Sequence, residues 1–220
     1  MIRCVVFDFD GTLVDSNHIK RGTAYAVVSV VANGSAILDR VYEENCGGDR
    51  HWIFGRFAEL ADLASVTPQG RARWGAEMAA EYTRRCEIAV SQCAEIPDAW
   101  SVVNTLAQGG LIVSINSATP TSTLREIVAS RGWTSVFSEI LGAPVSKAGN
   151  LKVIAKAACA LPSEVVMVGD KSVDQAGAEE FGCHFIGVLR SDSDFNMPPR
   201  FSVTALDQLV GVINQLNGSR

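Results

Sequence analysis

Two aspartates two positions apart, Asp8 and Asp10, sit in the run Asp8-Phe9-Asp10-Gly11-Thr12-Leu13-Val14-Asp15-Ser16, directly after the apolar stretch Cys4-Val5-Val6-Phe7. In an extended chain residues i and i+2 point the same way, so both carboxylates would gather just beyond a strand's carboxyl end. Like charges held this close repel, unless a divalent cation neutralises them or one carboxyl keeps its proton. Either outcome is chemistry. The plain structural alternative is a strand end closed by an Asx turn, with Asp-Gly as loop punctuation. The length of the whole string and its position after an apolar run weigh against that alternative. A second acidic pair ends another apolar run, where Val165-Val166-Met167-Val168 leads into Gly169-Asp170-Lys171-Ser172-Val173-Asp174.

The elements that must position these groups follow from patterning. Residues 4–7 lack polar alternation, which reads as a strand buried on both faces of a parallel α/β sheet. The carboxyl edge of such a sheet is where ligands bind, and Gly11 permits the turn away from it. Residues 17 to about 92 carry helical signals: Asn17 as the cap of a helix through Ala32, Asn33-Gly34 as its end, and amphipathic faces with Tyr42, Trp52, Phe54, Phe57, Leu60 and Leu63. Thr67-Pro68 reads as an N-cap and first helical position of a helix running toward Val90. Beyond Ile96-Pro97 strand and helix alternate: helix 98–108, strand 111–115, helix 121–131, strand 139–142, helix 149–160, strand 164–168, helix 173–181, strand 184–188 and helix 205–216. Repeated βα units make a parallel sheet with helices on both faces.

The first string matches the signature of the haloacid dehalogenase-like superfamily, most of whose members are Mg2+-dependent phosphatases, and Gly169-Asp170-x-x-x-Asp174 matches its fourth motif. The chain resembles the members with a helical cap inserted after the first motif, similar to phosphoglycolate phosphatase and β-phosphoglucomutase. The resemblance implies a Rossmann-like core over 1–16 and 95–220 and an all-helical cap over 17–94. It implies Asp8 as the nucleophile that becomes an aspartyl phosphate, Asp10 as general acid and base, and Mg2+ held by Asp8, the Asp10 carbonyl, Asp170 and Asp174. Asp174 reads equally as a first-turn carboxylate complementing a helix dipole, and both roles can coexist. The family's hydroxyl motif falls on Ser117, with Ala118 beside it in Ser117-Ala118-Thr119-Pro120 and Ser114 as competitor. Its lysine falls on Lys147 in Gly142-Ala143-Pro144-Val145-Ser146-Lys147, with Lys152 as fallback. This stretch departs from the family's commoner Lys-Pro, so Lys147 is placed by position.

The resemblance further implies a small phosphorylated substrate, with a lean toward sugar phosphates. Candidate substrate contacts are Gly48, Arg50, Ser117, Ala118 and Lys147, the first two from Asn45-Cys46-Gly47-Gly48-Asp49-Arg50-His51-Trp52, read either as a loop lowered over the site or as a turn between helices. A phosphosugar mutase and a non-catalytic interaction module on the same fold are the alternatives. Asp10 excludes dehalogenation, since dehalogenating relatives lack this second acid.

Composition agrees. The 220 residues are 47% hydrophobic and 20% charged with net charge -5, an ordinary globular balance with no basic stripe for nucleic acid. No apolar stretch approaches the length of a membrane span, so the expectation is a cytoplasmic protein with no membrane partner. The six cysteines show no C-x-x-C spacing and the three histidines are scattered, so none is assigned to metal and buried reduced thiols are expected.

Overall fold

The computed structural model describes residues 1–44, 49–61, 67–190 and 195–218. The chain divides into two compact units, Met1–Asn17 with Cys93–Arg220, and His18–Gln92.

The first unit is built on six strands: β1 (Cys4–Phe7), β2 (Ile112–Pro120), β3 (Ile140–Ala143), β4 (Val165–Gly169), β5 (His184–Val188) and β6 (Ser202–Val203). Their order across the sheet is β3-β2-β1-β4-β5-β6, and every neighbouring pair is parallel. The chain therefore winds outward from β1 in one direction and then restarts on its other side at β4. Such reversals create a crevice at the carboxyl edge. Register puts the chemistry in that crevice, because Phe7 stands level with both Ile115 and Val168. The residues that follow on the three strands emerge side by side.

Helices α5 (Ala99–Gln108), α6 (Thr121–Ser130), α7 (Lys147–Ala157), α8 (Ser172–Phe181) and α9 (Leu209–Gly218) surround the sheet. Cys4 and Val6 pack with Leu151 and Ile154 of α7 and Ala178 of α8. Val5 and Phe7 alternate to the opposite face and are equally buried, so β1 is apolar throughout because both of its faces are covered.

The second unit holds α2 (Gly34–Glu44), α3 (Arg50–Leu60), α4 (Pro68–Ser91) and all of α1 (Asn17–Val28) after its first residue. It has its own core, where Val28, Leu38 and Val41 meet Phe54, Phe57 and Met78. Phe57 packs on Trp74 and Phe54 on Tyr82. Thr67 caps α4 as its sequence foretells, accepting from the Gly70 amide at 3.1 Å with Pro68 behind it.

Several boundaries differ from the sequence reading. The first helix stops at Val28 instead of Ala32, and a tight turn follows in which Val31 donates to the Val28 carbonyl and Asn33 takes φ 57°. A Cβ on Gly34 would stand 2.1 Å from that same carbonyl, so glycine opens the next helix as well as closing the turn. The second strand continues to Pro120, because Asn116-Ser117-Ala118-Thr119 is extended without the apolar signature of a strand. Helix α7 starts two residues before the expected 149, at Lys147. The two-residue β6 was beyond the reach of patterning. Cys4 and Cys93 are buried thiols, but Cys159 is exposed and Cys183 half-buried, so burial is not general. Among the described residues no helix is long and apolar enough to cross a membrane.

Candidate active site

Asp8 leaves the end of β1 with its amide donating to the Val168 carbonyl at 2.8 Å. That bond turns its side chain into the crevice, where it is only 5% exposed. Lys147 enters from the first turn of α7, a helix started by Ser146, whose hydroxyl accepts from the Gly149 amide at 3.1 Å. Its ammonium lies 2.6 Å from Asp8 Oδ1, 2.6 Å from Asp174 Oδ1 and 2.6 Å from the Asn116 carbonyl oxygen. Three acceptors match the three donors of an ammonium. Two glycines make room for this cluster. A Cβ on Gly169 would stand 2.5 Å from the Asp174 carboxyl group, and one on Gly177 2.5 Å from Lys147 Cβ.

Asp170 follows β4 and is fully buried. Its Oδ2 accepts from Asn17 Nδ2 at 2.8 Å, and Lys171 Nζ lies 3.7 Å from the same oxygen. Asp174, 1% exposed, accepts from the Lys171 amide at 3.2 Å through Oδ2. Asp8, Asp170 and Asp174 each bring one carboxylate oxygen within 4.8 Å of the others. Burial pushes the Asp8 carboxyl well above its ordinary value, and Asp174 pushes it further against the opposing pull of Lys147, with Asp170 and Asp10 adding to the rise. Burial alone would lower the Lys147 ammonium, but Asp174 and Asp8 overcome it and hold the group above the ordinary lysine range. Three buried carboxylates facing the Lys147 ammonium, with Lys171 only partly buried and 3.7 Å from Asp170, leave negative charge uncompensated. An all-oxygen donor set of that charge suits a hard divalent cation such as Mg2+.

Asp10 stands apart from this triad. Its Oδ1 accepts from Ser16 Oγ at 2.6 Å, and its Oδ2 from Thr119 Oγ1 at 2.9 Å and Ser117 Oγ at 3.4 Å. The Thr119 amide in turn donates to Ser117 Oγ at 3.0 Å. Between the two aspartates' environments Gly11 adopts φ 80°, and a Cβ there would fall 2.4 Å from Asp170 Oδ2. Residues two apart in the sequence thus occupy different settings: one among carboxylates and an ammonium, the other among hydroxyls.

Six sequence candidates converge in this crevice: Asp8, Asp10, Ser117, Lys147, Asp170 and Asp174. Ala118 is exposed next to them. Ser114 lies inside β2 opposite Val6, buried, with no hydrogen-bond partner for its hydroxyl among the described residues. Lys152 is exposed further along α7. Arg50 opens α3 in the helical unit and donates to Thr83 Oγ1 at 2.9 Å; Gly48, with the rest of Asn45–Gly48, lies outside the described residues. Asn17, expected as the cap of the first helix, is that helix's first residue, and its Nδ2 donates to Asp170 Oδ2 at 2.8 Å.

Sequence reasoning passed over Ser16, Thr119, Asn116 and Asn150. Thr119 shares a strand face with Ser117 two residues earlier, a relation that shows only once residues 116–119 are seen to be extended. Ser16 carried no such signal, since only the turn at Gly11 brings it back to Asp10.

A sequence profile of the haloacid dehalogenase-like hydrolases matches residues 5–188. No curated protein matches. Among solved structures, the chain is similar to a predicted phosphoglycolate phosphatase from Haemophilus somnus, with TM-score 0.75 and 19% identity over 96% of this chain and 98% of that one. CbbY from Rhodobacter sphaeroides, a mutant in complex with xylulose-1,5-bisphosphate, aligns with TM-score 0.73 and 14% identity over 95% and 96%. The magnesium-bound HAD-hydrolase YfnB from Bacillus subtilis aligns with TM-score 0.69 and 18% identity over 97% and 99%. These likenesses show the fold. The profile spans most of the chain and includes every carboxylate of the crevice, and on that ground the chain belongs to the haloacid dehalogenase-like hydrolases.

Proposed function

We propose that this hydrolase is a Mg2+-dependent phosphatase that cleaves a small phosphomonoester through an aspartyl phosphate on Asp8. The observation that carries this reading is the division of labour between its two aspartates. Asp8 lies against the Lys147 ammonium at 2.6 Å, whereas Asp10 is held by hydroxyls from Ser16 and Thr119 at 2.6 and 2.9 Å. One carboxylate has the company of a nucleophile and the other the company of a proton carrier.

In the first step an Asp8 carboxylate oxygen forms a bond to phosphorus while the bond to the leaving alkoxide breaks. Asp10 gives that oxygen its proton. In the second, Asp10 takes a proton from the water that attacks the aspartyl phosphate, releasing orthophosphate and restoring Asp8. Lys147 and the Ser117 hydroxyl face the equatorial phosphoryl oxygens, where negative charge spreads in the transition state. Asp8, Asp170, Asp174 and the Asp10 carbonyl would hold Mg2+, which supplies charge neutralisation for the phosphoryl group when bound.

We assign recognition of the leaving group to the helical unit, residues 17–94, with Arg50 as its candidate contact. A phosphorylated sugar is the favoured substrate class, supported by the bisphosphate ligand of the CbbY neighbour. The setting we assign is the cytoplasm, where thiols such as Cys4 and Cys93 stay reduced. Incubation with sugar phosphates, phosphoglycolate and nucleoside monophosphates, with Mg2+ or with chelator, tests the reading. Orthophosphate should appear only with Mg2+, and a labelled phosphoryl group should be trapped on Asp8 by acid quench. Undiminished release in excess chelator would overturn the proposal, and conversion of a sugar phosphate to its isomer without release would make the chain a mutase.

A further inference from the structure

Two carboxamides are buried behind the reacting groups, and the proposed chemistry uses the side chain of neither. Asn116 is 0% and Asn150 3% exposed. Asn150 Nδ2 donates to Asn116 Oδ1 at 3.0 Å and to the Gly142 carbonyl at 3.2 Å. Asn116 Nδ2 donates to the Lys147 carbonyl at 3.0 Å, and the Lys147 ammonium donates back to the Asn116 carbonyl at 2.6 Å. Asn116 thus clasps Lys147 at both ends, by its side chain at the main chain and by its main chain at the ammonium. Asn150 spends both amide hydrogens on tying that clasp to β3.

Buried carboxamides are unfavourable unless their hydrogen bonds are met. Here all four contacts converge on one residue or on the strand ends next to it. Lysine is a point charge on a flexible four-carbon stem, and a stem free to wander would spread the ammonium over several positions. Fixing the residue at its carbonyl and at its tip removes that freedom. Gly177 closes the remaining side, since α8 approaches so near Lys147 Cβ that no side chain fits between them.

We propose that Asn116 and Asn150 are positioning residues that hold the Lys147 ammonium between Asp8 and Asp174. The proposal rests on the phosphatase reading of Lys147 given above. Because positioned charge contributes to the transition state far more than mobile charge, loss of the lattice should appear in kcat more than in KM.

The test compares Asn150→Ala, Asn116→Ala and Lys147→Ala with the parent on p-nitrophenyl phosphate and Mg2+. In parallel, reductive methylation of Lys147 is measured by peptide mass spectrometry against Lys152, which is exposed on the same helix and serves as internal reference. Asn150→Ala should lower kcat by about ten- to a hundredfold, with KM moving far less, and should raise the Lys147-to-Lys152 methylation ratio several-fold. Should Asn150→Ala not fold, Asn116→Ala gives the same readouts, because it leaves the main-chain acceptor of the ammonium in place. A normal kcat in the asparagine variants, or a lowered kcat with an unchanged methylation ratio, overturns the positioning role while an inactive Lys147→Ala keeps the phosphatase reading. A fully active Lys147→Ala overturns both.

Discussion

At the scale of single residues, the crevice holds more carboxylates than the Lys147 and Lys171 ammoniums can balance, and Asp8 bears the strain. Its carboxyl is pushed well above the ordinary 3.8, so the folded chain binds a proton there more tightly than the unfolded chain. Between those two values the folded state carries more protons, and stability falls as pH rises. In chelator, Asp8→Asn should therefore melt at a higher temperature than the parent, by a margin that widens from about pH 4 toward neutrality as the unfolded carboxyl ionises. The same variant should have no turnover. Thermal melts across pH, with and without Mg2+, decide the first point, and a constant margin would refute it. Asp10→Asn should slow both formation and breakdown of the phosphoenzyme, by about 10²–10⁴ per step. Rapid-quench kinetics separate the two steps, and parental rates on esters with poor leaving groups would leave Asp10 a structural residue.

At the scale of elements, the strand ends that carry the chemistry were also the places where patterning failed. Asp8 and Asp170 were legible because each follows an apolar strand, whereas Lys147 was placed only by the family resemblance, its helix being expected from 149. Asn116 to Thr119 do not read as strand, because four consecutive polar or small residues hide an extended conformation that only the pairing of Asn116 and Pro120 with β3 shows. The bond from Asn17 Nδ2 to Asp170 was hidden for a related reason: sequence shows a residue suited to a helix start, but only tertiary structure shows a buried carboxylate within its reach. Glycines give a sharp test at this level. Gly169→Ala puts a methyl group 2.5 Å from the Asp174 carboxyl, so it should weaken Mg2+ binding by calorimetry and cut turnover. Gly211→Ala in α9 meets nothing within 4 Å. It should raise stability by about 0.5–1 kcal/mol in urea unfolding with activity unchanged.

At the scale of the whole molecule, chemistry and selectivity are assigned to different units, and their variants should behave differently. Arg50→Ala should reduce kcat/KM for the physiological ester while leaving p-nitrophenyl phosphate nearly untouched, because remote binding energy is available only to substrates large enough to reach it. Thr83→Val is the control, since Thr83 is the hydrogen-bond partner of Arg50 within the helical unit. Equal losses on both esters would show that Arg50 supports the fold or touches the transferring phosphate.

The level register of β1, β2 and β4 has a consequence for how the protein comes into being. The carboxylates of the crevice lie in the first ten residues and at positions 170 and 174, and β1 meets β4 across more than 150 intervening residues. Pairings of such separation close late, because the chain must surrender the entropy of a long loop before any contact rewards it. Mutual repulsion among the acids is therefore deferred to one of the last events of folding. An emerging chain meets it only once β4 has been made, and a cation that binds the finished crevice favours that closing step by mass action. Refolding followed simultaneously by helix signal and by metal uptake should show the metal lagging, with added Mg2+ slowing unfolding more than it speeds the formation of helix.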